Sequence, residues 1–306
     1  MGKYIIKRFW YGVIVIFGVT IIVFVVTRLI GDPVKVMLPL EATLEQRAAF
    51  EKRLGLDRPI PVQFLEFMGD IARLDFGNSL WQHRPAMEIV FEKLPLTLIL
   101  SFVAIGFAFV ISIPLGIIAA LRPGAVSDRS TVFLSLIGLS VPQFWLGLLF
   151  IIIFAVQLRW LPTSGVATPF HIILPALTMG LPALARMFMI VRSSMIDELN
   201  QQYVKTAFAK GLPFYRVVGI HAMRNAALPV LTLCGWELIR AVAGYSVVVE
   251  TVFAWPGLGM TAIQAIERGD LILLQAIVFT VAIIVVLINI LMDVAYTIID
   301  PRLKLA

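Results

Sequence analysis

The chain has 306 residues, of which 60% are hydrophobic and only 14% charged. Soluble domains average about 45–50% apolar and about 25% charged residues, so the composition excludes an ordinary soluble enzyme and indicates an integral membrane protein with the lipid bilayer as its main partner. The net charge of +6 does not indicate a nucleic-acid partner, because the basic residues are spread over predicted loops and termini, as orientation signals are.

Six apolar runs are long enough to cross a bilayer, since a spanning helix takes about 20 apolar residues. In chain order they are 9–30, 95–121, 131–158, 172–195, 226–252 and 272–299. The first run is too long for the hydrophobic core of a signal peptide and has no cleavage site of the A-x-A type. The sequence therefore predicts an all-α integral membrane protein with six transmembrane helices and a retained first span.

Basic residues in the short loops fall on one side of these spans, which the positive-inside rule makes cytoplasmic. This orientation places both termini inside (N-in, C-in), together with the segment 196–225, which we call loop 196–225. The insertion 31–94 then lies outside. In the insertion, apolar residues at helical spacing predict a short amphipathic helix; they are Phe64, Phe67, Ile71 and Leu74. Three parts follow: 1–30, the external insertion 31–94 and a five-helix core 95–306.

No signature of covalent chemistry is present in the sequence. It contains no G-x-x-x-x-G-K-[ST] phosphate loop and no H-E-x-x-H zinc motif. A G-x-S-x-G nucleophile elbow is also absent. The single cysteine, Cys234, lies in an apolar run and permits neither an internal disulfide nor a cysteine metal site. We therefore predict no catalytic residue, no metal site and no cofactor in this chain.

Charged residues within predicted spans are the candidates for a transport path, because charges are costly in hydrocarbon. Glu237 and Arg240 lie three residues apart near the middle of the fifth span, where their side chains can meet. They either neutralise each other against another subunit or line a path and contact the charged ends of a substrate. Asn289 on the last span is a further path candidate. Arg186 and Arg192 are expected to reach the headgroups or a partner.

A polar island between two long apolar runs overlaps loop 196–225. The island, 203–229, reads YVKTAFAKGLPFYRVVGIHAMRNAALP. It predicts two short helices with a sharp turn at Gly211-Leu212-Pro213, since glycine and proline end helices. Ala207, Ala209 and Gly211 are small enough to permit close helix approach. Because the chain has no phosphate loop, the island is the predicted surface on which a soluble partner acts.

Short motifs recur in a fixed order along the chain: Gly31-Asp32-Pro33, Leu54-Gly55-Leu56-Asp57, Asp75-Phe76-Gly77, Trp160-Leu161-Pro162-Thr163, Ile173-Leu174-Pro175-Ala176, Thr206-Ala207, Ala209-Lys210-Gly211, Arg224-Asn225-Ala226, Pro256-Gly257-Leu258-Gly259 and Asp300-Pro301-Arg302. In these motifs the chain resembles permease subunits of the dipeptide/oligopeptide/nickel class of ABC importers over nearly its whole length. The resemblance implies the permease fold of type I ABC importers, with an external insertion between spans one and two, in the bacterial inner membrane.

The resemblance also implies partners and a coupling site. The expected partners are a second homologous permease subunit, two cytoplasmic ATPase subunits that hold ATP and Mg, and an extracytoplasmic substrate-binding protein. Loop 196–225 would contact an ATPase subunit through the residues around its turn, which are Lys205, Thr206, Ala207, Ala209, Lys210, Gly211 and Leu212. Lys205 stands where the general importer loop has a glutamate. Glu237 and Arg240 stand where an amide and a glycine are common.

The function expected from the resemblance is that of a permease subunit that forms half of the path for a peptide or similar small polar solute. It is not an enzyme, because ATP hydrolysis falls to the partner subunits. A secondary transporter or channel subunit is the alternative from another class, although no internal repeat typical of such transporters is visible. Within the family the alternative is a permease for nickel or a metal complex, which the scarcity of histidine disfavours.

Overall fold

A computed structural model describes residues 2–29, 43–53 and 57–299, and within these ranges the chain is helical apart from turns and one isolated β-bridge between Asn78 and Pro85. The predicted all-α class is confirmed. In chain order the helices are α1 (Gly2–Leu29), α2 (Leu44–Arg53), α3 (Ile60–Ala72), α4 (Ala86–Leu121), α5 (Val126–Ser140), α6 (Gln143–Phe150), α7 (Ile173–Leu199), α8 (Gln202–Ala209), α9 (Phe214–Val252), α10 (Leu258–Glu267) and α11 (Leu271–Ile299).

Three of the predicted motifs fall wholly or partly outside the described residues. They are Gly31-Asp32-Pro33, the first three residues of Leu54-Gly55-Leu56-Asp57, and Asp300-Pro301-Arg302.

Four helical segments among the described residues are long and apolar enough to cross a membrane. They are Ala86–Leu121, Pro169–Leu199, Phe214–Val252 and Leu271–Tyr296. These segments contain the whole of the second, fourth and fifth predicted spans and most of the sixth. The first predicted span corresponds to α1, whose apolar part is the shorter stretch Trp10–Val26. The count of six spans and the N-in, C-in orientation stay predictions.

The third predicted span, 131–158, is not one straight helix. α5 and the helix that follows it, Gln143–Gln157, are bent by 104° at a short break. At the break Val141 is extended, with φ −85° and ψ 126°, and so is Pro142, with φ −60° and ψ 136°, directly before the next helix begins at Gln143. Proline disfavours a helical conformation in the residue before it, so the break follows from the local sequence. The last turns of the second arm, Ile151–Gln157, form a π-helix.

The chain divides into two compact units, and the first consists of Met1–Leu96 with Gly257–Leu287. In this unit α1 packs on α3, because the ring of Phe24 lies 5.2 Å from that of Phe64 and 5.5 Å from that of Phe67. The predicted amphipathic helix is thus confirmed. Leu74 is outside it, beyond the end of α3, in the left-handed region with φ 56°.

Asp270, in the first unit, is fully buried and lies immediately before α11. Its carboxylate accepts hydrogen bonds from the Ser79 hydroxyl at 2.5 Å, the Trp81 backbone N–H at 3.2 Å and the Leu273 backbone N–H at 3.0 Å. The last bond satisfies a free N–H of the first turn of α11. One carboxylate therefore fixes the loop before α4 to the start of α11.

The second unit consists of Thr97–Pro256 with Ile288–Ala306, and α7 belongs to the most buried of the four candidate spans. Phe188, Val191 and Met195 of α7 are fully buried. Gly180 lets α7 approach α4 closely, since a Cβ there would lie 2.6 Å from the carbonyl oxygen of Ala104. The predicted division into 1–30, 31–94 and 95–306 concerns topology rather than compactness and stays a prediction.

Candidate functional site

The turn of loop 196–225 is a Schellman motif at the end of α8. Gly211 has φ 76°, a left-handed conformation that glycine adopts without a steric penalty. Its N–H donates to the Phe208 carbonyl at 2.9 Å, and the Leu212 N–H donates to the Ala207 carbonyl at 3.3 Å. These two bonds satisfy carbonyl groups that the helix end leaves free. The sharp turn predicted at Gly211-Leu212-Pro213 is confirmed.

After the turn, the second predicted short helix proves to be the first turns of α9. Phe214 begins a helix that continues without interruption to Val252. The helix includes π turns at Val217–Ala222 and Ala241–Tyr245. Any force on the turn at Gly211 therefore acts directly on the predicted fifth span.

α8 has one face in the protein core and one face outside it. Val204 and Ala207 are buried in a cluster with Val191 and Met195 of α7 and with Val217 of α9, and Leu212 packs against this cluster. The other residues predicted to contact an ATPase are exposed: Lys205, Thr206, Ala209, Lys210 and Gly211. Ala207 thus seats α8 on the chain itself. The exposed face is the part of α8 that is available to a partner.

Aromatic rings extend this exposed face across the turn. Phe208 is 43% and Phe214 is 56% exposed, and their ring centroids lie 6.4 Å apart. Tyr215 is also exposed, with the Arg216 guanidinium over its ring at 6.0 Å. Aromatic residues and arginine are enriched in protein interfaces. We call Lys205, Phe208, Lys210, Phe214 and Tyr215 the α8 surface.

A hydrogen-bonded network ties both ends of loop 196–225 together. The Tyr203 hydroxyl of α8 donates to the carboxylate of Glu198 at the end of α7. The Asn225 amide of α9 donates to the Tyr203 hydroxyl at 2.9 Å and lies 3.4 Å from the Glu198 carboxylate. Burial, and then the bond to Glu198, raise the pKa of Tyr203. The phenol therefore stays protonated and able to donate at neutral pH.

The second candidate site is a charge cluster formed by Arg186, Glu237, Arg240 and Tyr245. Arg186 donates from Nε and one terminal nitrogen to the two oxygens of Glu237, at 2.6 and 2.8 Å. The same terminal nitrogen lies 3.3 Å from the Tyr245 hydroxyl. Arg240 donates to Oε1 of Glu237 at 3.3 Å. The predicted contact between Glu237 and Arg240 is present, but the stronger partner of Glu237 is Arg186.

The expectation that Arg186 and Arg192 reach headgroups or a partner is wrong. Arg186 binds Glu237 of α9, and Arg192 binds both carboxylate oxygens of Asp128 in α5. Asp128 also accepts from the Gly124 backbone N–H at 2.8 Å. Both arginines thus join α7 to a neighbouring helix of the second unit. Asn289 lies on an exposed face of α11.

Arg186, Tyr245, Glu198 and Asn225 were missed as site residues by sequence reasoning. Position in the span and sign of charge could have indicated the contact between Arg186 and Glu237. Arg186 lies near the midpoint of its span and Glu237 near the midpoint of another, and opposite charges at a similar depth are expected to pair. The network of Tyr203 depends on a contact between residues 22 apart in sequence, for which no local pattern exists.

Comparison with known proteins gives a consistent result over the whole chain. A family profile described as "Binding-protein-dependent transport system inner membrane component" matches residues 112–305, and the profile for the N-terminal part of such components matches residues 1–101. The chain is 38% identical to the oligopeptide transport system permease protein AppB of Bacillus subtilis, covering 99% of this chain and 100% of that protein.

Further relatives carry similar names. The chain is 37% identical to the di/tripeptide transport system permease protein DppB of Pseudomonas aeruginosa and 33% identical to the dipeptide transport system permease protein DppB of Escherichia coli, with 99% of each chain covered in both cases. Among solved structures, an inward-facing MetNI methionine ABC transporter matches with a TM-score of 0.60 at 21% identity, covering 70% of this chain and 97% of that one. That likeness shows the fold.

Proposed function

Because the chain belongs to the family of binding-protein-dependent transport system inner membrane components, we propose that it forms half of the translocation path of an ATP-driven importer. In this proposal it pairs with a second homologous permease subunit. ATP and Mg bind to two cytoplasmic ATPase subunits, and an extracytoplasmic binding protein delivers the substrate. The chain itself performs no covalent chemistry.

The observation that carries the proposal is the mounting of the α8 surface. Val204 and Ala207 seat α8 on a buried cluster shared by α7 and α9, and the Tyr203 network joins α8 to the ends of both helices. Close-packed interiors transmit displacement because they have few voids. A push on the α8 surface would therefore move the two predicted spans together, which is what coupling to an ATPase requires.

The proposed substrate is a peptide or a small polar solute of similar size. The relatives that match over full length are named for oligopeptides, di/tripeptides and dipeptides. These names support a peptide over the nickel alternative. The family assignment also disfavours a secondary transporter or channel, because the family consists of components of binding-protein-dependent systems.

Co-purification tests the proposed docking of the ATPase subunits. The chain is expressed with its partner permease and ATPase subunits, and a tag on the chain is used to recover them. Phe208→Asp, which places a charge in the α8 surface, should reduce recovery of the ATPases. The matched control Phe170→Asp changes a phenylalanine that is also exposed but lies at the predicted external end of the fourth span, in the helical turn Pro169–Ile172. Unchanged ATPase recovery with Phe208→Asp would contradict the docking site.

Reconstituted uptake separates the two function classes. Proteoliposomes that contain the whole transporter should accumulate labelled di- and tripeptides only with internal ATP and an external binding protein. Accumulation driven by an ion gradient in the absence of ATPase subunits would instead establish a secondary transporter.

A further inference from the structure

The charge cluster contains one more positive charge than negative charge. Both carboxylate oxygens of Glu237 are bound by Arg186, at 2.6 and 2.8 Å, and Arg240 reaches only one of them, at 3.3 Å. The Glu237 side chain is fully buried, whereas 49% of the Arg240 side chain is exposed. Because a guanidinium has five N–H donors, the contact with Glu237 leaves most of the donors of Arg240 for another ligand.

The position of this excess charge determines what it faces. Glu237 and Arg240 lie on either side of the midpoint of the predicted span 226–252, and Arg186 lies at the midpoint of α7. An arginine at the centre of a bilayer costs about 2.5–3.5 kcal/mol or more unless it faces protein or a water-filled cavity. The exposed face of α9 around Arg240 therefore does not face lipid.

The same face of α9 offers room beside the cation. Trp236, Arg240, Ala243 and Gly244 are exposed and follow one another at helical spacing. A Cβ on Gly244 would meet nothing within 4 Å. The π turn Ala241–Tyr245 begins directly after Arg240, and such turns occur frequently at functional sites. An aromatic ring, a cation and an open surface thus adjoin along about two turns of helix.

On the basis of the proposed function, we propose that Arg240 binds the C-terminal carboxylate of the peptide as it passes through the translocation path. A guanidinium matches a carboxylate through two parallel N–H···O bonds, and every unmodified peptide carries such a group. Glu237 is then a positioning residue, which orients Arg240 and neutralises Arg186. It does not bind the ammonium group of the substrate, because its side chain is fully buried behind the two arginines.

A carboxylate of the second permease subunit would offer Arg240 the same chemistry as the peptide terminus. Pairs of substrates that differ only in that terminus distinguish the two sources. Trialanine has a free carboxylate, whereas trialanine amide lacks it and is otherwise nearly identical in size and shape.

The test uses the whole transporter with its binding protein in proteoliposomes, and it measures uptake per ATP hydrolysed. Each peptide is supplied at a concentration that saturates the binding protein. The Arg240→Gln variant loses a charge-assisted hydrogen bond to the carboxylate, so its uptake of trialanine should fall by about tenfold or more. Its uptake of the amide should change by less than about twofold. Arg240→Lys keeps the charge but loses the fork geometry, so its loss for trialanine should be intermediate.

Equal losses for trialanine and its amide would overturn the inference and assign the partner of Arg240 to a protein carboxylate. No loss for either peptide would remove Arg240 from the path. If the binding protein rejects the amide, the complex of permease and ATPase subunits is titrated with trialanine in the absence of the binding protein. An unchanged Kd of that complex for trialanine in Arg240→Gln overturns the inference. A wild-type transporter without uptake that depends on ATP and the binding protein overturns the proposed function, and this inference with it.

Discussion

Arg186 and Glu237 join α7 to α9 through two hydrogen bonds of 2.6 and 2.8 Å, near the middle of both predicted spans. A second connection between the same two helices runs from Glu198 through Tyr203 to Asn225 at the predicted cytoplasmic end. α7 and α9 are thus connected at two depths, and α8 belongs to the connection at the predicted cytoplasmic end. The pair of helices can respond to a partner as one body.

Removal of Glu237 should destabilise the chain more than removal of the whole ion pair. Glu237→Ala leaves Arg186 half-buried without its carboxylate, and breaking a buried pair in this way typically costs about 3–5 kcal/mol. The double variant Arg186→Met with Glu237→Met replaces both charges by apolar groups and should unfold at a higher temperature than Glu237→Ala. Thermal unfolding of the purified complex in detergent measures both. A lower midpoint for the double variant would contradict the assignment.

Gly211→Ala should weaken the Schellman turn by about 1–2 kcal/mol, because an L-residue is strained at a left-handed φ. Space is not the reason, since a Cβ at Gly211 would meet nothing within 4 Å. Gly219→Ala is the matched control, because that glycine is helical and equally unobstructed. ATP-driven uptake should fall for Gly211→Ala and stay near wild type for Gly219→Ala. Equal uptake by the two variants would show that the turn is not needed.

Tyr203→Phe should partly uncouple ATP hydrolysis from transport. The variant removes the hydroxyl that bonds to Glu198 and Asn225, and hydrogen bonds to charged groups contribute about 1.5–3 kcal/mol. The ring stays in place, so α8 should remain folded and the ATPase subunits should still bind. The ratio of peptide transported to ATP hydrolysed measures the effect, with Tyr296→Phe, a change of a tyrosine in α11 outside the α8 surface, as control. An unchanged ratio in Tyr203→Phe would refute the coupling role of the network.

Asp270→Ala should destabilise the first unit by about 2 kcal/mol or more, because three donors lose a buried acceptor. The donors are the Ser79 hydroxyl and the backbone N–H groups of Trp81 and Leu273. Glu267→Ala removes an exposed carboxylate three residues earlier and should change the unfolding temperature little. Hydrogen exchange of the first turn of α11 locates the effect, and unchanged exchange there would contradict it.

The helices could be predicted from the sequence because apolar runs of spanning length are a local signal. The turn at Gly211 is equally local, since glycine followed by proline two residues later specifies it. The break at Pro142 shows the limit of run length as a signal, because a continuous apolar run conceals a change of direction that depends on the conformation of Val141.

The side-chain contacts could not be predicted in the same way. Arg186 and Glu237 are 51 residues apart, and their contact depends on how α7 packs against α9. A sequence shows the depth of each charge in its span but not the rotation of one helix against the other. For the same reason Ala207 was predicted as a partner contact, whereas its side chain packs in the core of the chain.

Site-specific cross-linking shows whether the α8 surface binds an ATPase subunit. Cys234→Ala removes the single cysteine, and one new cysteine is then introduced at Lys210, which is exposed at the end of α8, or at Val166, which is exposed in a loop of predicted external location. A short thiol-to-amine cross-linker is added to the intact, active transporter in membranes. We expect a covalent adduct with an ATPase subunit for Lys210→Cys and no such adduct for Val166→Cys. An intact complex without an ATPase adduct at Lys210, or with one at Val166, would contradict docking of the ATPase at the α8 surface.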